Sequence, residues 1–244
     1  LIPAWVAAAV AATTRSVLDA REHRREQRRL ARTFGGYVSP QVLEAILAGR
    51  LAATGGRRAM AFLFADLRGF TALSERESPE TVLDLLNRYY AAITPALHAH
   101  GGTIDNFRGD GVMVMFGAPE PLQRPEQAAL AAAHAVLDAV ATLNRRLAAE
   151  GRAPLQCAIG VAAGEAVFGD LGSAERKDYT ALGDAVNVAA RLQDVARDGG
   201  HALVVTAEVL ERAGEPAERW LALGERPLRG HSPVALYAAR RAQA

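Results

Sequence analysis

The chain has 244 residues, half of them hydrophobic, and its 28 basic and 27 acidic side chains leave a net charge of +1. This length fits one globular domain with a flanking segment, and the near-zero charge argues against a general nucleic-acid binder. The single cysteine, Cys157, excludes an intrachain disulfide framework and a four-cysteine zinc site. Because Cys157 lies in an apolar run, we interpret it as a packed core residue and not as a catalytic thiol.

The first residues are apolar, and an arginine-rich segment follows them. Residues 1–13 are too few to cross a bilayer, which takes about 20 helical residues. The chain begins with Leu1 and not with methionine, so we interpret residues 1–13 as the end of a possible transmembrane helix. Residues 15–32 hold seven arginines against three acidic residues, which is typical of the cytoplasmic side of a membrane. We therefore expect a membrane anchor in a missing N-terminal region, with the compact domain at the cytoplasmic face of the cell membrane. The alternative is a solvated helix that joins two domains.

Residues 14–58 are predicted to form a membrane-proximal helix and a connector. Residues 14–33 contain good helix formers without Gly or Pro but carry only a thin apolar stripe, which favours pairing with a second copy or transmission of a signal. A short helix at 37–47 and a linker at 49–58 follow. The compact domain is therefore predicted to span residues 59–244.

Predicted strands and helices alternate from residue 59 onward. The first strand is a continuous apolar run that ends at Asp66, and Ser78 with Pro79 opens the next helix. Gly101 and Gly102 end that helix, and two long helices follow later at 125–147 and 184–197. The predicted strands lie at 60–65, 103–107, 112–116, 155–161, 164–168, 204–205, 220–223 and 234–237. This order predicts an α/β (α+β) fold with a ferredoxin-like or palm β-α-β-β-α-β core, additional C-terminal α/β elements and a preceding N-terminal helix.

Two carboxylates are placed where this fold would bring them together. Asp66 follows the first strand, and Asp110 lies in the hairpin between the second and third strands. Two hard oxygen ligands on rigid backbone suit Mg²⁺ or Mn²⁺, with substrate phosphates in the remaining positions. Taken singly, Asp66 could instead cap a helix or turn, and Asp110 could serve only the tight Asp-Gly turn. Gly69, Phe70 and Thr71 come just after the strand, where backbone N–H groups can approach a polyphosphate.

Four segments resemble one protein family, the class III nucleotidyl cyclases. Residues 64–71 (FADLRGFT) resemble its first metal-binding signature, and residues 107–111 (FRGDG) resemble the second. Residues 178–192 (DYTALGDAVNVAARL) are similar to its transition-state segment, and residues 228–230 (LRG) to a late triphosphate-binding turn. The order and spacing agree over residues 60–237, so the chain is identified as a member of this family, of the membrane-anchored bacterial adenylate cyclase type.

The resemblance implies a homodimer whose active sites are shared between two chains. One chain would hold two Mg²⁺ or Mn²⁺ ions per site through Asp66, Asp110 and the Leu67 carbonyl. The other would supply Asn187 and Arg191, which lie four residues apart on one helix and therefore share a face. The implied reaction is attack of the ATP 3′-hydroxyl on the α-phosphorus, which yields cyclic AMP and pyrophosphate.

The family's transition-state and nucleotide residues also carry over by position. Asn187 would orient the ribose, Arg191 would stabilise charge on the α-phosphoryl oxygens, and Arg229 would hold the β- and γ-phosphates. The base would be read by Asn106, where the family's adenylate cyclases usually have Lys, and by Thr180, a variant frequent in bacterial adenylate cyclases. An amide both donates and accepts hydrogen bonds, so Asn106 leaves the base open, whereas Thr180 favours ATP. The alternatives are a guanylate cyclase and a nucleotide-binding regulatory domain without catalysis.

Overall fold

The strands of the chain form one mixed sheet that helices cover on both faces. The structure is a computed structural model and describes residues 42, 43, 45, 55–173, 175, 177–228 and 232–240. The strands are β1 (Gly56–Leu67), β2 (Gly102–Arg108), β3 (Gly111–Phe116), β4 (Cys157–Gly172), β5 (Lys177–Leu182), β6 (Leu203–Thr206), β7 (Trp220–Arg226) and β8 (Val234–Ala239). Among the described residues they form an eight-stranded sheet in the order β2-β3-β1-β4-β6-β8-β7, and β5 pairs with β4 off this path.

Five α-helices connect or cover these strands within the described ranges. They are α1 (Phe70–Arg76), α2 (Pro79–Ala99), α3 (Pro125–Ala149), α4 (Asp184–Asp198) and α5 (Ala207–Ala213). The Ser78 side chain accepts a hydrogen bond from the Thr81 N–H and so caps α2 as predicted. The β-α-β-β-α-β order of β1, α2, β2, β3, α3 and β4 is also as predicted, and the mixed α+β fold is confirmed.

The two faces of β1 explain where the core lies. Side chains at alternate positions point to opposite faces of a strand. One set packs with α2 and α3, namely Ala61, Leu63 and Ala65. The other set packs with α4, namely Met60, Phe62 and Phe64. Asp66 continues the second set, so this alternation directs its carboxylate toward the α4 face. Cys157 is buried as predicted, with its thiol 3.5 Å from the Tyr89 hydroxyl.

Two predicted boundaries are wrong, and three of these helices and strands were missed. The first strand begins at Gly56, inside the predicted linker 49–58. Residues 155–161 and 164–168 were predicted as two strands, but both belong largely to the single strand β4. Gly160 lies in this strand at a point where α4 crosses it closely. The partner of the outer half of β4 is β5, which the sequence analysis did not assign. The short helices α1 and α5 were also missed.

The N-terminal predictions fall mostly outside the described part of the chain. The chain divides into two units, residues 1–51 and 52–244. In the first unit the three described residues are helical, within the short helix predicted there. The predicted transmembrane end at 1–13 and the helix at 14–33 lie outside the described residues. Of the helices that the structure describes, none is long and apolar enough to cross a bilayer.

Candidate active site

The sheet brings Asp66 and Asp110 together. Antiparallel pairing of β1 with β3 sets Ala65 opposite Val112, so the end of β1 lies beside the turn that carries Asp110. The carboxyl groups of Asp66 and Asp110 are within hydrogen-bonding reach of each other. The predicted proximity of the two side chains is therefore present within a single chain.

The electrostatics of the pair favour a cation. Burial, together with the hydrogen bond and negative charge of Asp110, raises the pKa of Asp66 from 3.8 to about 7. Two groups oppose this rise: the Leu67 N–H, 3.1 Å from Asp66 Oδ1, and the Arg197 guanidinium, 4.0 Å from Oδ2. Opposed carboxylates of this kind are stabilised when a divalent ion replaces the shared proton.

The ligand set also matches a hard divalent ion that is shared with a substrate. Within the described ranges, no three His, Cys, Asp or Glu side chains converge as a metal-binding group. Asp66 and Asp110 would therefore leave positions for water, substrate phosphates and a backbone carbonyl, which is how Mg²⁺ is commonly held. Leu67 is the last residue of β1, directly beside Asp66, and its side chain is buried. These residues fit the ion that the sequence implies.

Tyr90 holds the hairpin that carries Asp110, a role the sequence analysis missed. Its hydroxyl donates to the Gly109 carbonyl at 2.7 Å and lies 3.3 Å from the Gly111 carbonyl. Burial and the nearby negative charges of Asp110 and Asp66 raise the pKa of Tyr90 to about 12, so the hydroxyl keeps its proton and remains a donor. The Tyr90 ring also packs on the Phe107 ring, with centroids 4.1 Å apart. In the sequence, the spacing of Tyr90 indicates only a place on α2. It does not reveal the contact with the hairpin of β2 and β3.

The segment after Asp66 turns sharply into α1. Gly69 has a φ of 67°, in the left-handed region that favours glycine, and it precedes Phe70 at the start of α1. An added Cβ at Gly69 would meet no atom within 4 Å, so the backbone there faces open space. Phe70 packs against the core, whereas Thr71 is exposed. These positions leave room beside the carboxylate pair for the polyphosphate that the sequence predicts.

Asn187 and Arg191 lie on α4 but away from Asp66 of the same chain. Asn187 is exposed and Arg191 is half-buried. The contact between α4 and Asp66 is made by Arg197, near the opposite end of the helix. At 1.5 Å per residue, Arg191 is about 9 Å and Asn187 about 15 Å farther along the helix axis. A single chain therefore presents the two halves of the predicted site in separate places.

The two predicted base-reading residues lie on β2 and β5, which do not pair with each other in the sheet. Asn106 is on β2, where its Oδ1 accepts a hydrogen bond from Arg108 Nε at 3.2 Å. Thr180 is on β5, with its side chain within hydrogen-bonding reach of the Asp105 carboxylate. Asn106, Thr180 and Asp105 are each half-buried. Arg229, the predicted triphosphate ligand, lies outside the described residues.

Comparisons with known proteins agree with this architecture. The model of the adenylate and guanylate cyclase catalytic domain family matches residues 55–240. The guanylyl cyclase Cya2 is similar in structure, with a TM-score of 0.69 and 36% identity, over 76% of this chain and 93% of that one. The adenylyl cyclase CyaB from P. aeruginosa has a TM-score of 0.69 and 31% identity, over 77% of this chain and 96% of that one.

A curated relative is longer than this chain. The uncharacterized protein Rv1319c of Mycobacterium tuberculosis (strain ATCC 25618 / H37Rv) is 39% identical over 208 residues, which is 85% of this chain and 37% of the relative. The chain thus spans little more than a third of the length of the curated relatives it matches.

Proposed function

We propose that this chain, which belongs to the family of adenylate and guanylate cyclase catalytic domains, converts ATP to 3′,5′-cyclic AMP and pyrophosphate. The observation that carries the proposal is the Asp66–Asp110 pair, whose carboxyl groups lie within hydrogen-bonding reach; burial, together with Asp110, raises the pKa of Asp66 to about 7. Asp66, Asp110 and the Leu67 carbonyl would hold two Mg²⁺ or Mn²⁺ ions. Bound there, such ions would lower the pKa of the attacking 3′-hydroxyl and neutralise the triphosphate.

The remaining chemistry falls to side chains that bind and orient the nucleotide. Asn187 would hold the ribose so that its 3′-hydroxyl faces the α-phosphorus, because an amide can both donate to and accept from ribose hydroxyls. Arg191 would stabilise the charge that grows on the α-phosphoryl oxygens as the bond to pyrophosphate lengthens. Gly69, Phe70 and Thr71 would present backbone N–H groups to the triphosphate, and Arg229 would hold its β- and γ-phosphates.

A second copy of the chain is the proposed partner. The distance along α4 between Arg197 and Arg191 supports a site completed by another molecule. The hairpin of β4 and β5 also exposes three apolar side chains, Val167 at 51%, Leu171 at 50% and Leu182 at 59%. Val167 and Leu182 are paired across this hairpin, so they form a continuous apolar surface. Such a surface suits a symmetric dimer, in which each of two shared sites takes its carboxylates from one chain and α4 from the other.

ATP is the proposed substrate, and GTP is the alternative. Thr180 supports adenine, and the absence of an acidic residue at position 106 disfavours guanine, which presents donors there. Both choices occur among similar structures, since Cya2 is named a guanylyl cyclase and CyaB an adenylyl cyclase. We further propose that the domain works at the cytoplasmic face of the cell membrane, on the strength of the arginines in 15–32.

Turnover across a dilution series tests activity, substrate and dimerisation together. The purified chain is incubated with ATP or GTP and Mn²⁺, and cyclic nucleotide is measured per chain as the protein is diluted. We expect cyclic AMP from ATP, and a rate per chain that falls on dilution because the dimer dissociates. Asp110→Ala should abolish the activity, whereas Asp138→Ala, at an exposed position of α3, should keep it. No product at high protein and Mn²⁺ concentration would refute the proposal.

Complementation tests whether the sites are shared. Asp66→Ala and Arg191→Ala should each be inactive alone, because each removes one half of both sites. A random mixture contains heterodimers with one intact site, so about a quarter of the wild-type rate should return. A mixture as inactive as its two components would refute shared sites, provided that the variants still form dimers.

A further inference from the structure

Strand β2 carries an extra residue beside the proposed base-reading pair. In its register with β3, Ile104 faces Val114 and Asn106 faces Met113, so Asp105 is the additional residue of a bulge. A bulge breaks the alternation of a strand and re-aims a side chain. Here the half-buried Asp105 is close enough to β5 for its carboxylate to hydrogen bond with the Thr180 side chain. Asp105 therefore contacts Thr180, a proposed nucleotide-binding residue.

The Asp105 contact determines whether the Thr180 hydroxyl donates or accepts a hydrogen bond toward a nucleotide. A hydroxyl has one proton, and an ionised carboxylate can only accept a hydrogen bond. Burial raises the pKa of Asp105, the Thr180 hydrogen bond and the charge of Arg108 oppose that rise, and the charge of Asp178 adds to it. While Asp105 is ionised, the Thr180 proton is directed to its carboxylate, and the lone pairs of Oγ1 remain available. Toward a nucleotide, Thr180 is then an acceptor.

Arg108 fixes the polarity of Asn106 in the opposite sense. Its Nε donates to Asn106 Oδ1 at 3.2 Å. A guanidinium carries only donors, so the amide of Asn106 must turn its oxygen toward Arg108 and its NH₂ group away. Toward a nucleotide, Asn106 is then a donor. An isolated amide could donate or accept, but Arg108 on the same strand occupies the oxygen of Asn106.

We propose that Asp105 and Arg108 are positioning residues that set Thr180 as an acceptor and Asn106 as a donor, so that the pair matches adenine and rejects guanine. Adenine presents an acceptor at N1 and a donor at its 6-amino group, whereas guanine presents a donor at N1 and an acceptor at O6. Guanine would place its N1 donor against the Asn106 donor and its O6 acceptor against the Thr180 acceptor. This inference rests on the proposed cyclase function and adds residues outside the base-reading pair itself.

The test compares kcat/KM for ATP, GTP and purine ribonucleoside triphosphate, which lacks the 6-amino group but keeps N1. Asp105→Asn removes the obligate acceptor, so the ATP-to-GTP ratio of kcat/KM should fall about tenfold, the usual effect of one hydrogen bond to a charged group. For purine ribonucleoside triphosphate, which has no group for Thr180 to accept from, the same variant should lose less than twofold. A merely structural role would instead lower kcat/KM equally for all three nucleotides.

Arg108→Met tests the other half of the pair at an exposed site. Its ATP-to-GTP ratio should also fall about tenfold, but here the loss should extend to purine ribonucleoside triphosphate, which keeps N1. The matched control is Asp170→Asn, on β4 opposite Tyr179, which removes a carboxylate near Thr180 whose ion pair with Lys177 spans 3.6 Å. This control should keep the wild-type ratio.

Two results overturn the inference while the cyclase function stands. One is a wild-type chain that prefers GTP, and the other is an ATP-to-GTP ratio that neither Asp105→Asn nor Arg108→Met changes. Failure of the wild-type chain to cyclise any of the three nucleotides is a different outcome. It would refute the proposed function and the inference with it.

Discussion

The sheet and α4 approach each other closely at Gly160, and this contact makes a quantitative prediction about the site. Gly160 is the fourth residue of β4, where the backbone of α4 crosses the strand. A Cβ added at this position would stand 2.3 Å from the Ala189 carbonyl oxygen and 2.3 Å from the Gln193 nitrogen. Both atoms belong to the backbone, so no side-chain rotation can relieve the clash in Gly160→Ala.

The size of the effect follows from how far the added Cβ falls short of an ordinary contact distance. Ordinary contacts of a Cβ begin at 3.4 Å, so α4 and β4 must separate by about 1 Å. Overpacking of this kind costs about 2 kcal/mol in the free energy of unfolding. The larger effect should be on turnover, because Asn187 and Arg191 move with α4, and a misplacement of about 1 Å can lower a rate about 100-fold.

Urea unfolding and ATP turnover measure the two effects separately. The matched control is Gly164→Ala in the same strand, where the added Cβ meets only the Ala185 Cβ, at 3.1 Å. We expect Gly160→Ala to stay folded at 25 °C with a lower free energy of unfolding and a greatly reduced kcat, and Gly164→Ala to change both much less. The reasoning is refuted if Gly160→Ala unfolds and turns over like the wild type.

Two further predictions concern the carboxylate pair. Tyr90→Phe removes the hydroxyl that donates to the Gly109 carbonyl at 2.7 Å. The free energy of unfolding should therefore fall by about 1 kcal/mol, and kcat/KM with ATP by about tenfold. Wild-type turnover in this variant would contradict the role of Tyr90 in holding the hairpin that carries Asp110. The pKa of Asp66 rises from 3.8 to about 7 on folding, so the folded, metal-free protein binds more protons than the unfolded chain between these values. In EDTA its free energy of unfolding, measured by urea unfolding at each pH, should therefore fall as the pH rises through that window. Asp66→Asn should remove this pH-dependent fall. An unchanged pH dependence in the variant would contradict the assignment to Asp66.

Local signals explain why most of the fold could be predicted. The cap at Ser78 depends only on residues within one helical turn. The hairpin of β2 and β3 depends on an Asp-Gly turn between two β-rich runs, and Gly109 has a φ of 63° there. The approach of Asp66 to Asp110 then follows from topology, because β1 pairs with the strand that Asp110 precedes.

Contacts between distant elements explain what was missed. Residues 155–161 and 164–168 were predicted as two strands, whereas they belong largely to one strand in which α4 approaches closely at Gly160. Arg197 contacts Asp66, and Asp105 contacts Thr180, across 131 and 75 residues of sequence respectively. No periodicity or turn signal encodes such pairs, because they depend on how finished elements pack.

The division of the site also predicts which chain controls the choice of base. Thr180 lies four residues before α4 begins, and Asp105 beside Asn106 contacts it, so we expect the base-reading pair to act in the same site as Arg191 of its own chain. In a heterodimer of Asp66→Ala and Arg191→Ala chains, the one intact site takes its base-reading pair from the Asp66→Ala chain. Asp105→Asn should therefore lower the ATP-to-GTP ratio when it is added to the Asp66→Ala chain, and leave the ratio unchanged when it is added to the Arg191→Ala chain. The opposite assignment would place the base-reading pair on the carboxylate side of the interface and refute the shared geometry, even if complementation itself succeeded.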